Sequence, residues 1–171
     1  RNALNTPEKP ALAGCGSDSK IAFDNVNINF GDDFWFKRGS MYFHNNNIYS
    51  GGSKMIYNSI QPIFVAPDST LMFDKNTTLF YCPENINQNL IIPQDPSSII
   101  YFDGATLQTT PTGLSLKEGY MFFENQVNLD VGTEFDIGSF ILYQNNCGID
   151  LRSMDWNFNG EFLAISGKAV S

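Results

Sequence analysis

The chain reads as an all-β protein, a right-handed parallel β-solenoid, and three observations predict it. Apolar and polar residues alternate at period two over many short stretches. Clusters of Gly, Asn, Asp, Ser and Pro separate these stretches, and no segment of ten or more residues shows a capped helical period. Residues 20–59 are echoed in residues 99–139, at an offset that starts at 79 and becomes 80 after one inserted residue near Thr112. Short alternating strands suit an antiparallel sandwich or jelly roll equally well, and that is the alternative fold. The fixed internal period tips the reading to a stacked solenoid.

Taken in order, residues 1–19 come first: Pro7, Pro10, Gly14 and Gly16 interrupt a stretch with neither helical nor strand period. They are expected to form an extended N-terminal arm, with residues 20–171 as a single solenoid domain. Strand patterns follow at Ile21-x-Phe23, Ile28-x-Phe30, Phe34-x-Phe36, Met41-x-Phe43 and Leu71-x-Phe73. They continue at Leu114-x-Leu116, Tyr120-x-Phe122, Val127-x-Leu129 and Trp156-x-Phe158. Turns are expected at Gly31-Asp32-Asp33, Asn45-Asn46-Asn47, Gly51-Gly52-Ser53, Ala66-Pro67-Asp68, 93–96 and 145–148.

The echo pairs Phe23-Asp24 with Phe102-Asp103, Lys37-x-Gly39 with Lys117-x-Gly119, and Met41-x-Phe43-x-Asn45 with Met121-x-Phe123-x-Asn125. Gly52 matches Gly132 and Ser59 matches Ser139. Phe-Asp also occurs at Phe73-Asp74 and Phe135-Asp136. Each Phe-Asp reads as a coil corner: an inward ring ends one strand and Asp turns the chain. At Thr78-Leu79 and Thr106-Leu107 the next strand starts with Thr out and Leu in. With coils of ~20–30 residues, the 80-residue repeat holds about three coils and the domain about six.

A length of 171 residues suits one domain with a real core. The net charge of −8, with only Lys37-Arg38 adjacent among the basic residues, argues against a nucleic-acid partner, which needs a basic stripe to neutralise phosphates. It disfavours an anionic membrane surface for the same reason. Membrane insertion is not expected, because no apolar run approaches the ~20 residues needed to cross a bilayer. Opening at Arg1 suggests a processed or trimmed chain. Charged residues make up 16% and Asn numbers 19, a composition that points to an extracellular or cell-surface setting. Cys15, Cys82 and Cys147 are too far apart for a zinc knuckle. Outside the cell one disulfide and one free or intermolecular thiol would result; the other reading is three buried thiols acting as small hydrophobes.

Residues 98–125, Ser-Ile-Ile-Tyr-Phe-Asp-Gly-Ala-Thr-Leu through Met-Phe-Phe-Glu-Asn, resemble the repeated coil of pectin-lyase-like bacterial surface proteins. Residues 69–79, Ser-Thr-Leu-Met-Phe-Asp-Lys-Asn-Thr-Thr-Leu, look like the same coil edge. The resemblance implies a right-handed β-helix over roughly residues 20–165 and a surface setting. It implies no enzyme.

Candidate chemistry is thin. Glycosidases need two carboxylates across the scissile bond. Glu118 with Glu124, or Asp32 with Asp33, are the pairs available, and exposed turn or edge positions are the plainer reading. Asp150, Arg152, Asp155 and Glu134 would matter only if they met in a cleft. His44 is the single histidine, and its match at Glu124 marks a solvent-facing strand end. His44-Asn45-Asn46-Asn47 and Asn145-Asn146 suggest inter-coil Asn stacking or simple turns. Asn76-Thr77-Thr78 is a formal glycosylation sequon. Trp35, Tyr49, Tyr57, Tyr81 and Trp156 are candidates for a sugar-stacking strip, with core packing as the commoner role. No cofactor, metal or catalytic residue is expected.

The expected function is structural: a subunit of an extracellular or cell-surface fibre that stacks head to tail with copies of itself. A solenoid with uncapped ends offers unpaired backbone to another chain. Lys20, Ile21 and Phe23 open the coils, and Phe162, Leu163 and Ile165 close them. Cys15 would link the arm to a neighbouring subunit. The alternative is an adhesin or carbohydrate-binding module that takes a surface glycan. A polysaccharide lyase or hydrolase is the weakest of the three readings.

Overall fold

A computed structural model of the chain describes residues 18–82, 91–109, 114–116, 119–130, 134–137, 139–142, 155–157 and 161–164. All regular structure among them is β-strand, so the fold is all-β. The strands are β1 (Lys20–Asp24), β2 (Asn27–Ile28), β3 (Phe34–Phe36), β4 (Ser40–His44), β5 (Asn46–Tyr49), β6 (Lys54–Tyr57) and β7 (Ile63–Val65). Next come β8 (Thr70–Phe73), β9 (Thr78–Tyr81), β10 (Ile91–Pro93), β11 (Ile99–Asp103), β12 (Thr106–Thr109) and β13 (Leu114–Leu116). The series ends with β14 (Tyr120–Glu124), β15 (Asn128–Asp130), β16 (Glu134–Ile137), β17 (Ser139–Leu142), β18 (Asp155–Asn157) and β19 (Glu161–Ala164).

Every pairing is parallel and joins a strand to its counterpart one coil away. The strands therefore wind round three faces. The first carries β1-β4-β7-β10 and is taken over by β13-β16-β18, since β13 lies beside β10. The second carries β2-β5-β8-β11-β14-β17-β19, and the third β3-β6-β9-β12-β15. This is a β-solenoid, and the antiparallel alternative is excluded.

Inside, one residue type stacks on its like, because parallel in-register coils bring equivalent side chains within about 5 Å. On the second face Tyr49, Phe73, Phe102 and Phe123 form a ring ladder with centroid steps of 5.9, 5.0 and 5.4 Å. On the third face Phe36, Tyr57 and Tyr81 stack at 5.3 and 6.1 Å. On the first face Phe23 stacks on Phe43 at 5.2 Å. Aliphatic rows run beside them: Leu71, Ile100 and Met121 on the second face, and Met55, Leu79 and Leu107 on the third. Phe23 apart, these side chains are fully buried, each contributing roughly 1.5–3 kcal/mol of apolar transfer.

The sequence echo has a structural meaning beyond coil stacking. β1 to β6 correspond one to one with β11 to β16, ten strands later. Three strands make a coil, so ten strands are three coils plus one strand. Every element of the second copy therefore sits one face further round: β1 is on the first face and β11 on the second, β2 on the second and β12 on the third. The expectation of about three coils per repeat is sharpened to three and one third.

Other expectations need correction. The Tyr120-x-Phe122 pattern is the outward phase of β14; Met121 and Phe123 point inward, as Met41 and Phe43 do in the first copy. Asn46 and Asn47 belong to β5, which leaves Asn45 as the turn residue. Phe30 lies past the end of β2 and is exposed. Phe23-Asp24, Phe73-Asp74 and Phe102-Asp103 do end their strands, but Phe135-Asp136 lies within β16 and makes no corner. Thr78 and Thr106 face outward, with Leu79 and Leu107 buried, as expected.

Candidate functional site

Three features on the described residues bear on function: the corners, the outer face of the second sheet and the open edge at the first coil.

The corners are built alike in both copies. Asn25, Asn45 and Asn125 take the left-handed backbone with φ of 55°, 59° and 57°, and Gly104 does so at 60°. Asn tolerates this region because its short side chain finds local partners. The Asn45 amide donates to Asp24 Oδ1 at 2.6 Å, and the Asn125 amide makes the same bond to Asp103. Asn25 N–H donates to the His44 carbonyl at 3.2 Å, and Gly104 N–H to the Glu124 carbonyl at 2.8 Å. The Lys-x-Gly pairs match too. A Cβ on Gly39 would lie 2.6 Å from the Ser19 carbonyl oxygen, and one on Gly119 2.6 Å from that of Ser98. The repeated residues are thus a coil-joining device.

Of the candidate chemical groups on described residues, only Glu134 and Asp155 are strand neighbours. Asp32 and Asp33 are exposed, and Asp33 Oδ1 accepts the Lys54 N–H at 3.0 Å, tying one coil to the next. His44 is exposed at the end of β4. Glu124 is half-buried beside Asp103 in the β11–β14 register, and Glu118 lies outside the described residues. Glu134 and Asp155 are register partners on β16 and β18; Asp150 and Arg152 lie outside the described residues. Asn76 sits on an exposed left-handed turn with φ of 65°. Asn47 is fully buried; it donates to the His44 carbonyl at 2.8 Å and accepts from Val26 N–H at 3.3 Å. It bonds backbone across coils, and no Asn stack runs through it. Asn145 and Asn146 lie outside the described residues.

The proposed aromatic strip is also corrected. Tyr49, Tyr57 and Tyr81 are buried in the core ladders, while Trp35 is half-buried on β3. Tyr49 Oη bonds Ser53 Oγ at 2.9 Å, and burial pushes its pKa up to about 12. Burial raises Tyr57 further, and its hydroxyl donates to the Gln61 carbonyl. The surface rings are others. Tyr42 stacks on Phe64 at 4.5 Å, with Lys20 Nζ 5.5 Å from the Tyr42 centroid. On the second face Tyr101 meets Phe122 edge-on at 6.1 Å. Thr70, Ile99, Tyr101, Phe122 and Glu124 line an open depression of about 260 Å³ there. Sequence reading missed it because the outward phase of β11 and β14 is as aromatic as the inward one.

Of the cysteines, Cys82 is a half-buried free thiol; burial pushes its pKa up to about 11, which suppresses the reactive thiolate at neutral pH. Cys15, Cys147 and the arm residues 1–17 lie outside the described residues, as does Ile165. Phe162 and Leu163 lie in β19, at the outer end of the second sheet.

The edge at the first coil is formed by β1, β2 and β3, each the terminal strand of its sheet among the described residues. Ile21 and Phe23 are half-buried there, and Val26 and Phe30 are each 37% exposed. Compared with known proteins, the chain matches no family model, no curated protein and no solved structure.

Proposed function

We propose that this chain is a non-enzymatic structural subunit of an extracellular or cell-surface fibre. It assembles head to tail with copies of itself, and residues 1–19 lie along the neighbouring subunit. The observation that carries the reading is the first coil, where β1, β2 and β3 are each the terminal strand of their sheet among the described residues. Unpaired parallel edges recruit further strands. A heterologous contact that does not close yields an open filament. The resemblance of residues 69–79 and 98–125 to pectin-lyase-like surface coils supports the surface setting, and the acidic charge of −8 suits a partner other than nucleic acid.

Negative-stain electron microscopy of the chain, with and without residues 1–19 and with and without reductant, tests this. Filaments that shorten or vanish on removing the arm are expected; uniform small particles under all conditions would overturn the reading.

A second reading, a glycan-binding module, is favoured by the depression at Tyr101, Phe122 and Glu124, where ring surfaces adjoin a carboxylate acceptor. It predicts saturable binding to a glycan array, lost on Tyr101→Ala.

A further inference from the structure

The two copies of the repeat differ in what lies beneath them, and the covered copy shows what the open one is shaped to receive. β11 rests on β8 with Ile99 opposite Thr70, Ile100 opposite Leu71, Tyr101 opposite Met72 and Phe102 opposite Phe73. Ile99 N–H donates to the Ser69 carbonyl at 2.8 Å, and Thr106 N–H to the Thr77 carbonyl at 2.9 Å. Backbone groups in a parallel ladder alternate sides, so Ile99, Tyr101 and Asp103 face β8 while Ile100 and Phe102 face β14.

The same side assignment holds in the first copy. The Ser19 and Val26 carbonyls take bonds from Ser40 and Ile48 N–H at 2.8 and 2.9 Å, as those of Ser98 and Ala105 take bonds from Tyr120 and Asn128 at 2.9 and 3.1 Å. The N–H groups of Lys20, Ala22, Asp24 and Asn27 therefore face the open edge, in the positions where Ile99, Tyr101, Asp103 and Thr106 meet β8 and β9. Phe23 stacks on Phe43 on one side, whereas its equivalent Phe102 stacks on Phe123 and also on Phe73, at 5.0 Å.

We propose that the β1–β2 edge is a strand-addition surface for a second copy of this chain, whose β19 occupies beneath β1 the place that β8 holds beneath β11. This rests on the fibre reading and adds the interface to it. The choice of β19 follows from register. Along the second face Leu71, Ile100, Met121, Phe140 and Phe162 share one row, and Met72, Tyr101, Phe122, Ile141 and Leu163 share the next. β19 is thus the last strand of the series that begins under β11, and among the described residues it has a neighbour on one side only. The register puts Leu163 of the second copy opposite Ala22 and Phe162 opposite Ile21. Because β19 ends the second face and β1 begins the first, the incoming copy is turned by one face. That is the same step that carries β1–β6 onto β11–β16 within the chain.

Ala22→Pro tests the interface without touching the fold's own ladder, because the Ala22 N–H faces away from β4 and the residue is exposed. The wild-type chain and the variant are compared by sedimentation velocity over a hundredfold range of concentration, with residue-resolved hydrogen exchange at both ends of the range. Circular dichroism and thermal melting confirm that the variant folds. The expected result is concentration-dependent assembly of the wild type, with at least tenfold slower exchange at Lys20, Ala22 and Asn27 in the assembled sample, and loss of both in Ala22→Pro. Assembly that persists in Ala22→Pro with the Lys20 and Asn27 amides still exchanging freely would overturn this interface while leaving the fibre reading intact. A wild type that stays monomeric at every concentration would overturn both.

Discussion

Residues 19–45 and 98–125 share Phe-Asp, Lys-x-Gly and Met-x-Phe-x-Asn and the same corner bonds, yet they occupy different environments. In the second copy the Phe102 ring is fully buried between Phe73 and Phe123. In the first, Phe23 has a ring on one side and remains half-buried. The motif thus sets how coils join, while position in the stack decides how much each join is worth.

The largest test of that contrast is ring removal. Phe102→Ala should cost about 3–5 kcal/mol, because a cavity opens between two neighbouring rings. Phe23→Ala should cost only about 1–2 kcal/mol in the monomer, since less area leaves water on folding. Denaturant unfolding measures both, and equal costs would break the comparison.

The glycines should resist substitution in both copies, Gly119 the more strongly because its Cβ would also meet the Pro93 ring. Gly39→Ala and Gly119→Ala each combine positive φ, 88° and 76°, with a Cβ set against a backbone oxygen. Each should lose about 1–3 kcal/mol. Gly52→Ala, where φ is 73° but nothing lies within 4 Å, should cost less, at about 1 kcal/mol.

Smaller still is the corner clamp. Asn45→Gly and Asn125→Gly keep the left-handed backbone but delete the bond to Asp24 or Asp103. Each should cost less than about 1 kcal/mol, because the bond is exposed. A larger loss at one corner than at the other would show that the clamps are not equivalent.

The mildest effect is on pH dependence. Tyr49 is raised from 10.0 to about 12, and Cys82 from 9.0 to about 11. A raised folded pKa means that the folded chain holds its proton more tightly than the unfolded one. Stability is then at its full value below about pH 9, declines as pH rises through 9–12, and does not recover above. Urea midpoints between pH 8 and 11.5 should fall, and Tyr49→Phe should fall less steeply.

The stacking was legible in the sequence because Phe-Asp, Lys-x-Gly and Met-x-Phe-x-Asn recur at a nearly constant offset, shifted by a single inserted residue, and the inward phases of β1, β3, β4 and β8 follow alternation directly. The face-to-face shift was not legible, since period alone does not say how many strands fill it. Phase failed at β14, where Tyr120, Met121, Phe122 and Phe123 are all apolar and only the match to Met41-x-Phe43 points to the buried pair. Strands β5, β7 and β10 were missed because Asn47 is a buried polar residue and 63–65 and 91–93 are short runs beside Pro. As for the candidate site, Lys20, Ile21 and Phe23 lie in β1, a terminal strand of its sheet among the described residues, and the start of alternation at Ile21 is visible in the chain. The depression at Tyr101 and Phe122 was hidden, because alternation assigns rings inward by default.

The rotated repeat is tested most directly by paired cysteines in a background with Cys15, Cys82 and Cys147 replaced by Ser. In the structure Tyr101 of β11 is the register partner of Met72 on the second face. If the repeat spanned a whole number of coils, β11 would instead continue the first face beside β7, near Phe64. The account predicts rapid oxidation of Met72→Cys/Tyr101→Cys to an intramolecular disulfide and none for Phe64→Cys/Tyr101→Cys. The reverse pattern would contradict it.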